Sequence, residues 1–192
     1  MIPLQAPMVR ERAPGWLRSS GGRQLNGWII DQLGLQPFQH VLEIGFGSGH
    51  LLGEVAGSLR TGFLAGAESS TSLYQQAYRR NRRFIARQLM QLHPGGLAEL
   101  PYPPHYFHTV YSADGITGKD RRVELLRFTR LLRSGGRLVL VFRLPVASKE
   151  QYRSRLANRI QQDYIAAGLQ HVRLESRETY FGAAVAAIGF TA

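Results

Sequence analysis

The sequence predicts an α/β fold, a three-layer sandwich around a mostly parallel seven-stranded sheet that closes with an antiparallel C-terminal edge hairpin. Three observations carry this expectation. Short apolar runs rich in β-branched residues alternate with helical patterns, the order of βαβ units. A glycine-rich turn, GFGSG, sits where an apolar run gives way to a helix. The last two strand-like runs are joined by only five residues, RETYF, too few for a crossover helix and enough for a hairpin.

The elements follow in order. Residues 40–45 (HVLEIG) read as the first strand, with a helix over 50–59. Residues 61–68 (TGFLAGAE) form the second strand, and the helix over 70–87 offers Leu73, Ala77, Phe84 and Ile85 for one buried side. A third strand over 88–93 is closed by the turn HPGG, and a fourth spans 106–112 (YFHTVYS). A helix over 120–133 stops at Ser134-Gly135-Gly136, where Gly135 or Gly136 supplies a left-handed cap, and RLVLVFR at 137–143 is the fifth strand. After Pro145 come an amphipathic helix over 149–167 and the runs HVRLES and GAAVAAIGF. Residues 1–39, with two tryptophans and a helix over 25–33, read as an N-terminal helical extension or lid on a domain spanning 40–192.

Composition bounds the chemistry. A chain of 192 residues, 44% hydrophobic, has enough apolar material for one core, so one active site is expected. Cysteine is absent, which excludes disulfides, thiolate ligands and a cysteine nucleophile. No run approaches the length of a membrane span and MIPLQAPMVRERAPG lacks a signal-peptide core, so a cytoplasmic protein is expected. The net charge of +11 raises nucleic acid as a partner. Only Lys119 and Lys149 are lysines, however, so the excess is arginine spread along the chain, and the densest group, Arg79, Arg80, Arg82, Arg83 and Arg87, reads as a solvated helix face. Nucleic acid stays possible but is not favoured.

The chemistry-bearing segment is VLEIGFGSGH, residues 41–50. Gly45, Gly47 and Gly49 end an apolar strand where a nucleoside ligand would approach the backbone and a Cβ would obstruct it. Glu68, 23 residues beyond Gly45, ends the next strand, where a carboxylate accepts both ribose hydroxyls of an adenosine. Dinucleotide folds share these features, but here the spacing is G-x-G-x-G, with His50 where the third glycine of G-x-G-x-x-G falls. Glu43 adds a negative charge that disfavours a pyrophosphate and suits a cofactor bearing an ammonium and a sulfonium. That favours S-adenosylmethionine over NAD.

These residues resemble the class I S-adenosylmethionine-dependent methyltransferases, which are Rossmann-like. VLEIGFGSGH is similar to their first motif, GAESS to the second-strand acid segment, AELPYPPHYFHTVYS to the stretch into the fourth strand, and LLRSGGRLVLVFR to their LRPGGRLVL element. The resemblance runs from about residue 25 to the C-terminus and is to small bacterial enzymes of the broad type that includes ubiquinone and menaquinone biosynthesis methyltransferases. It implies that Glu43, Gly45, Phe46, Gly47 and Gly49 hold the methionine end, Glu68 the ribose, and Ser69 with Gly96 and Leu97 the adenine, with Ser112 at the end of the fourth strand. Two positions depart from the pattern. Gly95-Gly96-Leu97 stands where the family has G-D-A, and Phe107-His108 where it often has F-D.

In this fold the residues after the fourth strand, Ser112 to Ile116, face the transferred methyl, and Asp114 is the candidate to orient or deprotonate an acceptor, or else a turn aspartate. No Asn-Pro-Pro-Tyr or Asp-Pro-Pro-Tyr run occurs there, which argues against a nucleobase amine or glutamine amide. His50, His105 and His108 are the histidines assigned to this end of the sheet, and their spacing suits no metal site. Trp16, Trp28 and Tyr102 are available to line a lid or to pack as core aromatics. The expected function is methyl transfer to a small-molecule acceptor, with an RNA or protein methyltransferase, or a catalytically inactive S-adenosylmethionine-binding protein, as alternatives.

Overall fold

The computed structural model describes residues 20–116, 121–145, 148, 150–179 and 182–192. Seven strands form one sheet: β1 (His40–Ile44), β2 (Phe63–Glu68), β3 (Met90–Pro94), β4 (Phe107–Ser112), β5 (Leu132–Pro145), β6 (Gln170–Thr179) and β7 (Gly182–Phe190). Their order across the sheet is β3-β2-β1-β4-β5-β7-β6. The first five run parallel, and β7 pairs antiparallel with both β5 and β6. The three-layer reading and the edge hairpin both hold.

Side-chain alternation along the strands sends residues to two cores. Val41, Leu64, Tyr111, Val139, Val141 and Ile188 face α1 (Ser20–Leu33), α2 (His50–Ser58) and α3 (Thr71–Ala86). Leu42, Ala65, Val110, Leu138, Leu140 and Ala187 face α4 (Arg121–Leu131) and α5 (Glu150–Ala166). Tyr164 is buried in the second core because its hydroxyl donates to the Ala187 carbonyl at 3.0 Å, which removes the penalty of an unpaired phenol. Helix α3 is capped at its N-terminus by Ser70, whose side chain accepts from Leu73 N–H.

Two boundaries differ from expectation. Helix α1 already includes Ser20, the first described residue, so more of the N-terminal segment is helical than the 25–33 pattern indicates. Helix α4 ends at Leu131, ahead of the expected 133, and β5 begins at Leu132 instead of 137. Leu132 is fully buried and pairs with Phe107, so it is drawn onto the sheet before the glycines. Between the pairs Phe107↔Leu132 and Thr109↔Arg137, β5 carries the extra residues as an irregularity, and Gly135 takes the left-handed conformation at φ +68. The starts expected at 120 and 149, and most of the loop after Ile116, lie outside the described residues.

Candidate functional site

The carboxyl ends of β1, β4 and β5 open onto a cleft with an enclosed volume of about 60 Å³. It is lined by Leu25, Asn26 and Ile29 of α1, by Glu43 and the turn residues Gly45 to Ser48, by His50 and Leu51, and by Ala113, Asp114 and Arg143. This is the crevice at which open α/β sheets bind ligands.

The turn is held by its own backbone. Gly45 N–H donates to Ala67 O at 2.8 Å and Gly49 N–H to Phe46 O at 3.0 Å, while Gly45, Gly47 and Gly49 have φ of +72, +56 and +75. The three glycines serve different ends. A Cβ on Gly45 or Gly47 would meet no protein atom within 4 Å, so the space above them is open. A Cβ on Gly49 would lie 2.6 Å from Ala77 Cβ, so that glycine answers the close approach of α3 and does not line the cleft. Phe46 lines the cleft, but its ring is packed against Gly66 in the core, which leaves mainly its backbone for a ligand.

Glu68, 7% exposed, receives Gly47 N–H on Oε2 and Ser70 N–H on Oε1, both at 2.9 Å. The carboxylate thereby ties the glycine turn to the start of α3, and each oxygen keeps a further lone pair. Glu43, 1% exposed, receives the Tyr111 hydroxyl at 2.6 Å. Burial, with the charges of Asp114 and Glu68 behind it, pushes the Glu43 carboxyl up to about 8 despite the opposing Tyr111 hydrogen bond. Burial raises the Tyr111 hydroxyl well above its usual range too.

The sign of the consequence is definite. A carboxyl raised in the folded chain binds more protons folded than unfolded, so its contribution to stability is full below about pH 4.5 and is lost as pH rises toward about 8. Glu43→Gln keeps an acceptor for Tyr111 and is expected to abolish that loss. Thermal melts of the two proteins without cofactor should diverge from pH 5 to 8.5, the variant becoming the more stable at the alkaline end. Parallel curves would contradict the shift.

The remaining expected residues separate. Asp114 lies at the cleft, its N–H toward Ser112 Oγ at 3.4 Å and its carboxylate paired with Arg143. Ser112 is buried at the end of β4, and Ser69 is exposed beside Glu68. Gly96 and Leu97 lie beyond β3, where Leu97 packs on the second core. Glu99 was missed by sequence reasoning: its Oε2 accepts Gly96 N–H at 2.7 Å, returning a carboxylate to the segment whose acid is absent. Also missed were Arg80 and Asn81 of α3, which donate to the Ser48 and Gly49 carbonyls and brace the turn. Asn81 is 1% exposed, and an asparagine on the apolar side of a helix was the available signal.

The histidine assignment is corrected. His50 lines the cleft, but β4 is parallel to β1, so His108 at its start and His105 before it lie at the opposite end. The His108 ring takes His40 N–H at 3.0 Å and faces Arg133. A lid role is also withdrawn for Trp28, which packs on the first core, and for Tyr102, which packs with Phe63, Tyr106 and Phe107 on the second. Trp16 lies outside the described residues. Among the described residues no group of His, Asp or Glu is arranged to hold a metal, and no helix is long and apolar enough to cross a membrane.

Residues 42–140 match the family model described as "Methyltransferase domain", a stretch from within β1 to within β5 that includes the glycine turn and Glu68. The chain belongs to this methyltransferase family. The methyltransferase is similar to the "Uncharacterized methyltransferase YdaC" of Bacillus subtilis, 25% identical over 164 residues, 84% of this chain and 88% of that one. Its fold matches a SAM-dependent methyltransferase from Aquifex aeolicus (TM-score 0.68, 13% identity, 93% of this chain and 94% of that chain). It also matches geranyl diphosphate C-methyltransferase from Streptomyces coelicolor, whose structure contains Mg2+, geranyl diphosphate and S-adenosyl-L-homocysteine (TM-score 0.68, 12% identity, 89% and 79%). The methyltransferase is thus a class I enzyme and its cofactor is S-adenosylmethionine. The residues fit that cofactor: Gly45 and Gly47 leave a cradle that a side chain would fill, and a buried carboxyl opens onto it, the setting for an ammonium.

Proposed function

We propose that the methyltransferase modifies a small, largely apolar molecule. The carrying observation is the wall of the cleft: Leu25 and Ile29 of α1 with Leu51 and Ala113 make its apolar lining beside the glycine turn. The arginine excess points elsewhere. Arg79, Arg82 and Arg83 are exposed on α3 and Arg87 just past its end, Arg80 is engaged by the Ser48 carbonyl, and the aromatic cluster of Phe38, His40, Tyr102 and Tyr106 near Arg133 lies away from the cleft. The named acceptor of the Streptomyces enzyme, geranyl diphosphate, is a small molecule, and the resemblance of the motifs to the quinone-biosynthesis type points to the same acceptor class.

In this reading Glu43, Gly45 and Gly47 would hold the methionine end, Glu68 the ribose, and Ser69, Gly96 and Leu97 the adenine side, with Glu99 supplying a carboxylate there. Bound S-adenosylmethionine supplies an electrophilic methyl on a sulfonium, so the protein need only align a nucleophile and exclude water. Helix α1 would wall the site through Leu25, Asn26 and Ile29. Asp114, past the end of β4, would orient the acceptor or take its proton.

The test is transfer of labelled methyl at physiological salt into total RNA, total protein and a small-molecule metabolite extract. Label is expected in the metabolite fraction. Site-specific label in RNA or protein would overturn the acceptor class. No label in any fraction, with cofactor binding intact, would identify a catalytically inactive binding protein.

A further inference from the structure

We infer that Arg143 is an oxyanion site for the acceptor, so that the molecule methylated carries a carboxylate or phosphate at the end pointing out of the cleft. This rests on the small-molecule reading above and adds the acceptor's charge to it.

Arg143 lies on β5 three residues past Leu140, the partner of Ser112 at the end of β4. At about 3.3 Å per residue that places its backbone roughly 10 Å outward from the level of Ser112. Across the strand pair stands the small side chain of Ala184, and Arg143 lines the cleft beside Asp114. Among the described lining residues it is the one guanidinium, on a wall otherwise made of apolar side chains, backbone, Asn26, Ser48, His50 and two acids. The fork of a guanidinium matches a carboxylate or phosphate through paired N–H groups, which favours an oxyanion over any other polar group.

Among its partners is a carboxylate, the Asp114 side chain, and that side chain is 53% exposed. A pair so open to water contributes little to stability, so an acceptor oxyanion can take the place of Asp114 at small cost. Exchange of one carboxylate for another keeps the guanidinium paired throughout. It also releases Asp114 toward the acceptor, beside Ala113 in the wall of the cleft. The acceptor that fits has an apolar body against Leu25 and Ile29, its oxyanion at Arg143, and its methylated atom further in.

The experiment titrates sodium phosphate and sodium acetate, separately and at constant ionic strength, into the chain saturated with S-adenosylhomocysteine. The Arg143 Nε–Hε resonance, assigned by its loss in Arg143→Gln, is followed against that of Arg83 on α3. A saturable shift at Arg143 well beyond that of Arg83 is expected, and the stronger of the two salts indicates a phosphate or a carboxylate. No shift, or one equal to that of Arg83, would overturn the inference. In a second arm the labelled metabolite is passed over an anion exchanger: retention supports the site, and a neutral product overturns it. Arg143→Gln should raise the acceptor KM about tenfold or more with S-adenosylhomocysteine affinity unchanged. Label in RNA or protein would remove the small-molecule reading, while the phosphate and acetate titrations still decide whether Arg143 holds an oxyanion.

Discussion

Gly47→Val is expected to abolish S-adenosylhomocysteine binding while leaving the protein folded. The expectation follows from two properties of one position. Gly47 has φ +56, so a β-branched residue is strained there by a few kcal/mol, a cost a packed domain of this size can bear. A Cβ at Gly47 nevertheless meets no protein atom within 4 Å, so the valine side chain would project into the space assigned to the cofactor. The contrast is Gly49→Val, where the new side chain would overlap Ala77 and Asn81 and the loss should appear chiefly as a lower melting temperature. Melting curves with calorimetry separate the two. A folded Gly47→Val protein with the affinity of the parent would show that the ligand lies elsewhere.

Glu68→Ala is expected to weaken S-adenosylhomocysteine binding by one to two orders of magnitude or more, about 1.5 to 3 kcal/mol or beyond. Two charge-assisted bonds to the ribose would disappear. The variant also strips Gly47 N–H and Ser70 N–H of their acceptor, so the turn itself should loosen and the melting temperature should fall modestly. Calorimetry at saturating protein stability, well below the melting range, isolates the binding loss. An unchanged affinity would reject the assignment of Glu68 to the ribose.

The fold and the glycine turn were legible because their causes are local. A turn with three left-handed residues needs glycine, and two strands joined by five residues need a hairpin; each leaves its mark within a few positions. What escaped is tertiary. Gly49 reads like its neighbours, yet its constraint is helix α3, about thirty residues away in the chain. The Tyr111–Glu43 bond joins β4 to β1, and the Arg143–Asp114 pair joins β5 to the residues after β4, so neither leaves a spacing to recognise. The start of β5 at Leu132 was hidden by Gly135-Gly136, which reads as a stop although the sheet already holds Leu132. His105 and His108 are different. Strand direction alone places residues at the start of β4 away from the cleft, so that error lay in reading the polarity of a parallel sheet.

The central claim, that the cleft over Gly45 and Gly47 takes S-adenosylmethionine and not a dinucleotide, is tested most directly by calorimetric titration of the unmodified chain with S-adenosylhomocysteine and, separately, NADH. One-to-one binding of S-adenosylhomocysteine with no heat from NADH is the expected result. Saturable NADH binding with none for S-adenosylhomocysteine would contradict it.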